Sequence, residues 1–128
     1  MRSAWLEINL AAYQENLRAL SAYTSRPVLA VVKANGYGHG MAAVAAAAVE
    51  AGCPGVAVAL PEEGAELRAG GQPGRILVLG LSVEEQANLI VEHNLEQTVS
   101  RPEMLAALSD AARRMGRTAA VHVKVDTG

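Results

Sequence analysis

The chain has 128 residues, which is the size of one ordinary domain and enough to bury a hydrophobic core. Hydrophobic residues make up 51% of it and charged residues 19%, which excludes an intrinsically disordered chain. The net charge of −2 favours neither nucleic acid nor an anionic membrane surface as a partner. The single cysteine, Cys53, excludes an internal disulfide and a multi-cysteine metal site, so no metal is expected, and it indicates a reducing compartment.

The amino-terminal residues do not predict a signal peptide, because Glu7 and Asn9 interrupt the apolar pattern. The apolar run at residues 41–49 is far shorter than the roughly 20 residues that a membrane span needs. We therefore expect a soluble cytoplasmic protein.

From residue 11 onward, short apolar runs alternate with segments of helical spacing. The first segment, residues 11–23, is amphipathic and carries Leu17 and Leu20 on one stripe. Near-continuous apolar strands separated by helices are typical of a parallel sheet that is covered on both faces. The predicted strands are residues 28–32, 56–60, 76–79, 95–99 and 119–125, and the predicted helices between them are 41–51, 62–69, 83–93 and 102–115.

Glycines and serines agree with these boundaries. Gly52 and Gly116 occupy positions typical of helix carboxyl termini. Ser82 and Ser100 are each followed by a glutamate three residues later, a spacing that predicts two helix N-caps.

The strands start roughly 20 to 27 residues apart, which fits repeated βα units with right-handed crossovers. Five such strands do not close an eight-stranded barrel, and the sequence ends directly after the last one. The fold class that we predict is therefore α/β, an incomplete (β/α)8 TIM-like barrel with about five of the eight βα units, from a longer protein. An open five-stranded sheet that is complete in itself is the alternative.

The stretch most informative about chemistry is residues 30–40, Ala-Val-Val-Lys-Ala-Asn-Gly-Tyr-Gly-His-Gly. It places the amine of Lys33 at the carboxyl end of a strand, beside glycines whose backbone N–H groups a phosphate could approach. A lysine that forms an imine with a phosphate-bearing aldehyde needs this arrangement. The hydroxyl of Tyr37 could donate to the same phosphate. On residue types alone, a solvated lysine followed by ordinary turn glycines is the alternative.

A second lysine lies on the last predicted strand. Strand alternation places His122, Lys124 and Asp126 on one face, just as it places Val31 and Lys33 together on the first strand. Three polar residues on a buried face are costly unless they serve one another or a ligand. An exposed edge face is the alternative.

Residues 32–40 resemble the pyridoxal-phosphate attachment motif of alanine racemases, in register over nine positions. The resemblance extends to residues 5–10 and 121–128, so it spans the whole chain but only the amino-terminal part of the family's length. It implies an eight-stranded barrel followed by a separate β domain. Residues 1–10 would form a strand that belongs to the absent β domain, with the strand itself at about residues 6–10, and residues 11–128 would form the partial barrel.

The resemblance also implies an activity. The protein would be an alanine racemase, a pyridoxal 5'-phosphate-dependent isomerase that supplies D-alanine for bacterial cell-wall peptidoglycan. Lys33 would hold the cofactor as an imine and act as one acid/base, Tyr37 would bind the cofactor, and Lys124 matches a lysine that commonly carries a carbamate. The second acid/base, a tyrosine of the partner subunit in a homodimer, lies beyond Gly128, so this chain alone is expected to be inactive.

Other interpretations remain open. A racemase for another amino acid, a decarboxylase of basic amino acids or a non-enzymatic pyridoxal-phosphate-binding barrel would share a strand-borne lysine. The continued match through His39 argues against the decarboxylase, and the predicted first strand argues against the non-enzymatic barrel. Glu62 and Glu63 are interpreted as acids that stabilise the amino terminus of a helix, and Cys53 as a small buried residue.

Overall fold

Strands and helices alternate along residues 4–128, which are the residues that the computed structural model describes. The predicted α/β alternation is confirmed, and most boundaries agree with the prediction within two residues. Four of the five strands are shorter than predicted, and β3 has its predicted length of four residues. The elements in order are α1 (Leu10–Thr24), β1 (Ala30–Val31), the single turn α2 (Lys33–Tyr37), α3 (Met41–Glu50), β2 (Gly55–Val58), α4 (Pro61–Ala69), β3 (Arg75–Val78), a 3-10 turn (Glu84–Gln86), α5 (Ala87–Glu92), β4 (Glu96–Val99), α6 (Pro102–Met115) and β5 (Ala120–Val123).

All five strands are parallel, and their order in the sheet is the order in the sequence, β1-β2-β3-β4-β5. Every crossover therefore moves in the same direction across the sheet. Because such crossovers are right-handed, they place their helices on the same side of the sheet. This is the arrangement of a barrel wall, and it differs from a doubly wound sheet, in which the direction reverses.

The hydrophobic core lies between that side of the sheet and the helices. Val56, Val58, Ile76 and Val78 are fully buried there, together with Leu108 of α6. The opposite face carries Val31 and Leu79, which are 41% and 40% exposed. Helices on one side of the sheet and an open opposite face agree with the predicted partial barrel, whose inner face would be covered only by further strands.

The segment before α1 is not a strand in this structure. Residues 4–9 have no regular secondary structure, and Leu10 already belongs to α1. The Asn9 side chain caps that helix by accepting from the Ala12 N–H at 3.0 Å. A strand forms only when it pairs, and no partner for this segment lies within residues 4–128. Its pairing with a further domain stays a prediction, and residues 1–3 of the predicted 1–10 unit lie outside the described residues.

The two serine N-caps predicted from the sequence are wrong. The Ser82 hydroxyl is buried and donates to Oε1 of Gln97 on β4 at 2.9 Å, so it serves a contact between elements. Helix α6 begins at Pro102 with Arg101 at the N-cap position, one residue later than Ser100 predicts. Proline at the first helical position accounts for the shift, because its fixed φ suits the helix and it has no N–H to satisfy.

Arg68 of α4 joins two loops at the amino-terminal edge of the sheet. Its guanidinium donates to the carbonyl oxygens of Gln72, Gly74, His93 and Asn94 at 2.7–3.1 Å. Burial lowers the pKa of this group. The contacts tie the loop before β3 to the loop before β4, and so hold the strand ends in register.

A search of the described residues finds no helix with both the length and the apolar character that crossing a bilayer requires.

Candidate functional site at the carboxyl edge of the sheet

Lys33 lies at the edge of the sheet where all five parallel strands have their carboxyl ends. It follows β1 after one residue and is half-buried. The N–H of Val32 donates to the Ala57 carbonyl at 2.8 Å, so pairing with β2 continues to the residue before the lysine. The sheet therefore fixes the backbone from which the Lys33 side chain projects, as the sequence predicted for the end of this strand.

The chain after Lys33 forms a left-handed turn. Ala34, Asn35, Gly36 and Tyr37 have φ values of 51°, 54°, 63° and 54°. A left-handed conformation costs an L-residue roughly 1–2 kcal/mol, and only glycine adopts it without that cost. Three of these four residues are not glycine, so the surrounding contacts must hold the turn in place. Strain of this kind is concentrated at functional sites in proteins.

The N–H groups of the loop glycines are used within the loop. Gly36 donates to the Val32 carbonyl at 2.8 Å, and both Gly38 and Gly40 donate to the Asn35 carbonyl, at 3.1 and 2.9 Å. The sequence-based expectation that these N–H groups face a phosphate is therefore wrong. The glycines close the turn, and the contribution of this loop to anion binding depends on its side chains.

Two side chains of the loop stabilise its exit into α3. Asn35 Oδ1 accepts from the Met41 N–H at 2.9 Å at the start of α3. His39 Nδ1 lies 2.9 Å from the Gly36 carbonyl oxygen. Because a carbonyl only accepts, this contact requires the hydrogen on Nδ1 and leaves Nε2 as the acceptor nitrogen in the neutral ring. His39 therefore orders the loop.

The Tyr37 side chain is accessible to a ligand, with 60% of its surface exposed. Together with Val31 it lines a cavity of about 540 Å³ that extends to Tyr13 of α1 and to residues 6–9. Burial, and to a smaller extent the nearby Cys53 thiol, raise the pKa of Tyr13. The residues on either side of Lys33 thus border a space that a small molecule could enter.

Glu63 is a site residue that the sequence interpretation did not identify. Its Oε1 accepts from the Ala34 N–H at 2.7 Å, and its Oε2 accepts from the N–H groups of Ala59 and Leu60 at 2.8 and 3.1 Å. The contact to Leu60 has a signal in the sequence, because an acid three residues after a helix N-cap commonly reaches back to it. The contact to Ala34, the neighbour of Lys33, spans 29 positions and has no such signal.

Lys124 lies at the same edge of the sheet as Lys33, directly after the last described strand. Strands β1 and β5 are the two outer strands of the described sheet. The Lys124 N–H donates to the Val99 carbonyl at 2.8 Å, and its side chain is exposed. The two predicted lysines thus follow the first and the last strand of the described sheet.

A charged cluster occupies the open face of the sheet nearer its amino-terminal edge. The guanidinium of Arg75 donates twice to the Glu96 carboxylate, at 2.6 and 2.7 Å, and His122 Nε2 lies 2.7 Å from the same carboxylate. Hydrogen bonding to Arg75, and more weakly to His122, lowers the pKa of Glu96 from 4.5 to about 2. The sequence placed His122 on one face with Lys124 and Asp126, and in the structure its polar partner is Glu96 of the neighbouring strand. Arg75 and Glu96, which serve it there, were not identified from the sequence.

Cys53 is buried beyond the end of α3, and burial raises the pKa of its thiol. A thiol with a raised pKa carries little thiolate and is a poor nucleophile. This agrees with its interpretation as a small buried residue.

Comparison with known proteins identifies what this arrangement resembles. The family model described as "Alanine racemase, N-terminal domain" matches residues 8–128. An alanine racemase of Symbiobacterium thermophilum is 46% identical over 129 residues, which cover 100% of this chain and 34% of that protein. The solved alanine racemase of Streptomyces lavendulae is 43% identical with a TM-score of 0.87, over 94% of this chain and 32% of that one.

A solved histidine racemase of Leuconostoc mesenteroides is 32% identical with a TM-score of 0.84, over 93% of this chain and 32% of that one. The chain thus spans about a third of the length of the relatives that it matches.

Proposed function

The chain belongs to the alanine racemase family, as its amino-terminal domain, and from this premise we propose that it is part of an enzyme that interconverts L-alanine and D-alanine. The observation that carries the proposal is the place of Lys33. It follows a barrel-type strand after one residue, within the family's attachment motif, and precedes a turn that several contacts hold in a strained conformation. In a bacterium this activity would supply D-alanine for peptidoglycan in the cytoplasm.

The residues at this edge fit pyridoxal 5'-phosphate. Lys33 offers a primary amine for a covalent bond to the cofactor's aldehyde carbon, and Tyr37 offers an exposed hydroxyl for the phosphate. Val31 and Leu79 offer apolar surface on the open face of the sheet. When bound, the cofactor supplies an electron sink that makes the substrate's α-proton acidic.

Lys33 also has a role in proton transfer. When it is not bonded to the cofactor, its Nζ would accept the α-proton from one face of the substrate or return it there. Racemisation needs a second acid/base on the opposite face. We propose that a partner subunit of a homodimer supplies that group, and that Lys124 carries a carbamate that organises substrate-binding residues outside this chain.

A racemase for another amino acid is the second candidate. The solved histidine racemase matches this chain with a TM-score of 0.84 at 32% identity. The shared fold therefore does not by itself determine the substrate. Measuring racemisation of L-alanine and L-histidine by the full-length protein distinguishes the two, and a higher kcat/KM for histidine would contradict the alanine assignment.

The covalent attachment is tested on the full-length protein with pyridoxal 5'-phosphate. Borohydride reduction followed by peptide mapping should leave the pyridoxyl group on Lys33, and Lys33→Ala should lose both the label and racemisation. Lys124→Ala is the matched control and should keep the label on Lys33. A label on Lys124 instead, or no label on either lysine, would refute the proposed function.

A further inference from the structure

We propose that Glu63 is a positioning residue for Lys33. Its carboxylate holds the left-handed turn in the conformation that orients the Lys33 side chain. This rests on the proposed function of Lys33 as the cofactor-binding residue. Glu63 belongs to α4, which follows the second strand, whereas Lys33 follows the first. The hydrogen bonds of the Glu63 carboxylate therefore link two adjacent βα units at the carboxyl edge of the sheet, and this link is called the tie below.

The tie consists of three charge-assisted hydrogen bonds. One carboxylate oxygen accepts from the Ala34 N–H at 2.7 Å. The other accepts from the N–H groups of Ala59 and Leu60, at 2.8 and 3.1 Å. Hydrogen bonds from backbone N–H groups to a carboxylate are shorter and stronger than those between neutral groups. Glu63 is partly buried, and its contact with the Ala59 N–H is the one of the three that is part-buried and so the most shielded from water.

The contact to Ala34 occurs where the turn most needs support. Ala34 is the first of the four consecutive residues with φ between 51° and 63°. The N–H at the beginning of a helical turn has no partner within that turn, whichever hand it has. Glu63 supplies that partner and so favours the strained conformation directly after Lys33. If Ala34 relaxed to a right-handed conformation, the peptide that follows Lys33 would rotate and the amine would lose its fixed direction.

The contacts require a carboxylate specifically. Both oxygens accept from N–H donors, on two different loops. An amide in the same place has one oxygen, and its NH2 group would face an N–H donor on the other side. Glu63→Gln therefore has to release one of the two loops while it keeps nearly the same shape. An aspartate at this position could still cap α4, but it is one methylene too short to reach both loops.

The experiment uses the full-length protein, first without cofactor and then loaded. Hydrogen–deuterium exchange of the peptide that covers residues 33–38, in the cofactor-free state, reports the order of the turn directly. In Glu63→Gln we expect this peptide to exchange at least tenfold faster. In the loaded enzyme we expect kcat to fall tenfold to a hundredfold with a smaller change in KM, because misplacement of a reacting group by about 1 Å can cost that much.

Glu62→Gln is the matched control. Glu62 is exposed, lies in the same first turn of α4 and bonds the Gln86 side chain, so its replacement removes the same charge near the same helix end. It should leave both exchange and kcat unchanged. Glu63→Asp separates capping from positioning and covers the case in which Glu63→Gln does not fold. It should keep a melting temperature near that of the wild type while exchange rises and kcat falls.

Unchanged exchange of residues 33–38 in Glu63→Gln would overturn the inference. Equal effects in Glu62→Gln would also overturn it, since they would show a general effect of charge at the helix terminus. Fast exchange in Glu63→Asp with an unchanged kcat would show that order in the turn does not matter for catalysis. If borohydride reduction did not label Lys33, the proposed function would fail. The exchange measurement on cofactor-free protein would still test whether the Glu63 hydrogen bonds order the turn.

Discussion

Replacing Glu96 with glutamine should destabilise the protein by an amount that depends on pH in a defined way. Contacts with Arg75 and His122 lower the Glu96 pKa from 4.5 to about 2. At 1.36 kcal/mol per pKa unit this corresponds to about 3 kcal/mol as an upper bound. The Arg75 and His122 side chains are 47% and 41% exposed, so solvent screening makes the actual stabilisation smaller than this bound. We expect Glu96→Gln to cost about 1–2 kcal/mol of unfolding free energy at pH 7.

The sign of the pH dependence follows from the direction of the shift. A carboxyl group whose pKa is lower in the folded state stabilises that state fully above its unfolded pKa. The stabilisation is lost as the pH falls through the folded pKa. The difference between wild type and Glu96→Gln should therefore be constant from pH 7 to about 5, and should shrink between about 4.5 and 2.

Urea unfolding of the full-length protein, followed by circular dichroism at several pH values, measures this difference. Glu66→Gln is the control, because Glu66 is an exposed glutamate on the surface of α4. It should change stability little at any pH. The reasoning would be refuted if Glu96→Gln destabilised the protein equally at pH 3 and pH 7, or did not destabilise it at all. The first result would indicate a packing defect, and the second would indicate that desolvation of the carboxylate cancels its contacts.

Three further predictions follow from other parts of the molecule. Arg68→Met should lower the unfolding free energy by about 3 kcal/mol, because it leaves four loop carbonyl oxygens without their charged donor. Arg18→Met, on the exposed surface of α1, is the control and should change the unfolding free energy little. Urea unfolding measures both, and equal effects would contradict the role of Arg68 in joining the two loops. A crystal structure of the full-length protein should show a carbamate on Lys124, and density for a plain solvent-facing amine would contradict its proposed role. Residues 1–128 produced alone should self-associate through the exposed apolar face and edge strands, and should not racemise L-alanine. Light scattering and a D-alanine assay test this, and a monodisperse monomer or turnover like that of a full-length racemase would show the expectation to be wrong.

The sequence predicted the repeating elements well, because their signals are local. Helix α6 begins and ends where the pattern placed it, from Pro102 to Met115. The five strands appear in the predicted places because apolar runs between helices have few other ways to be buried. The layering, with helices on one side of the sheet, was implied by the predicted partial barrel and not by the apolar runs themselves. Whether helices cover one face or both depends on strand order, and apolar runs of this kind do not encode strand order.

The predictions for individual polar side chains failed for a related reason. Ser82 has the local pattern of an N-cap, but its hydroxyl donates to Gln97, which only the folded sheet brings near. The glycines after Lys33 have the composition of an anion-binding loop, but their N–H groups close a left-handed turn. In both cases a local motif allowed two hydrogen-bonding patterns, and contacts elsewhere in the chain selected one of them.

Glu63 shows how the same limit applies to the candidate site. Its sequence position predicts a cap on α4, and it does accept from the Leu60 N–H. A carboxylate has capacity for several donors, so a satisfied cap still leaves one oxygen free for a second loop. The parallel sheet places the loop after β1 beside the start of α4, and the second oxygen accepts from the Ala34 N–H there. Lys33, the proposed cofactor-binding residue, can be predicted from its motif. Glu63, which we propose orients Lys33, is found only once the pairing of neighbouring strands is known.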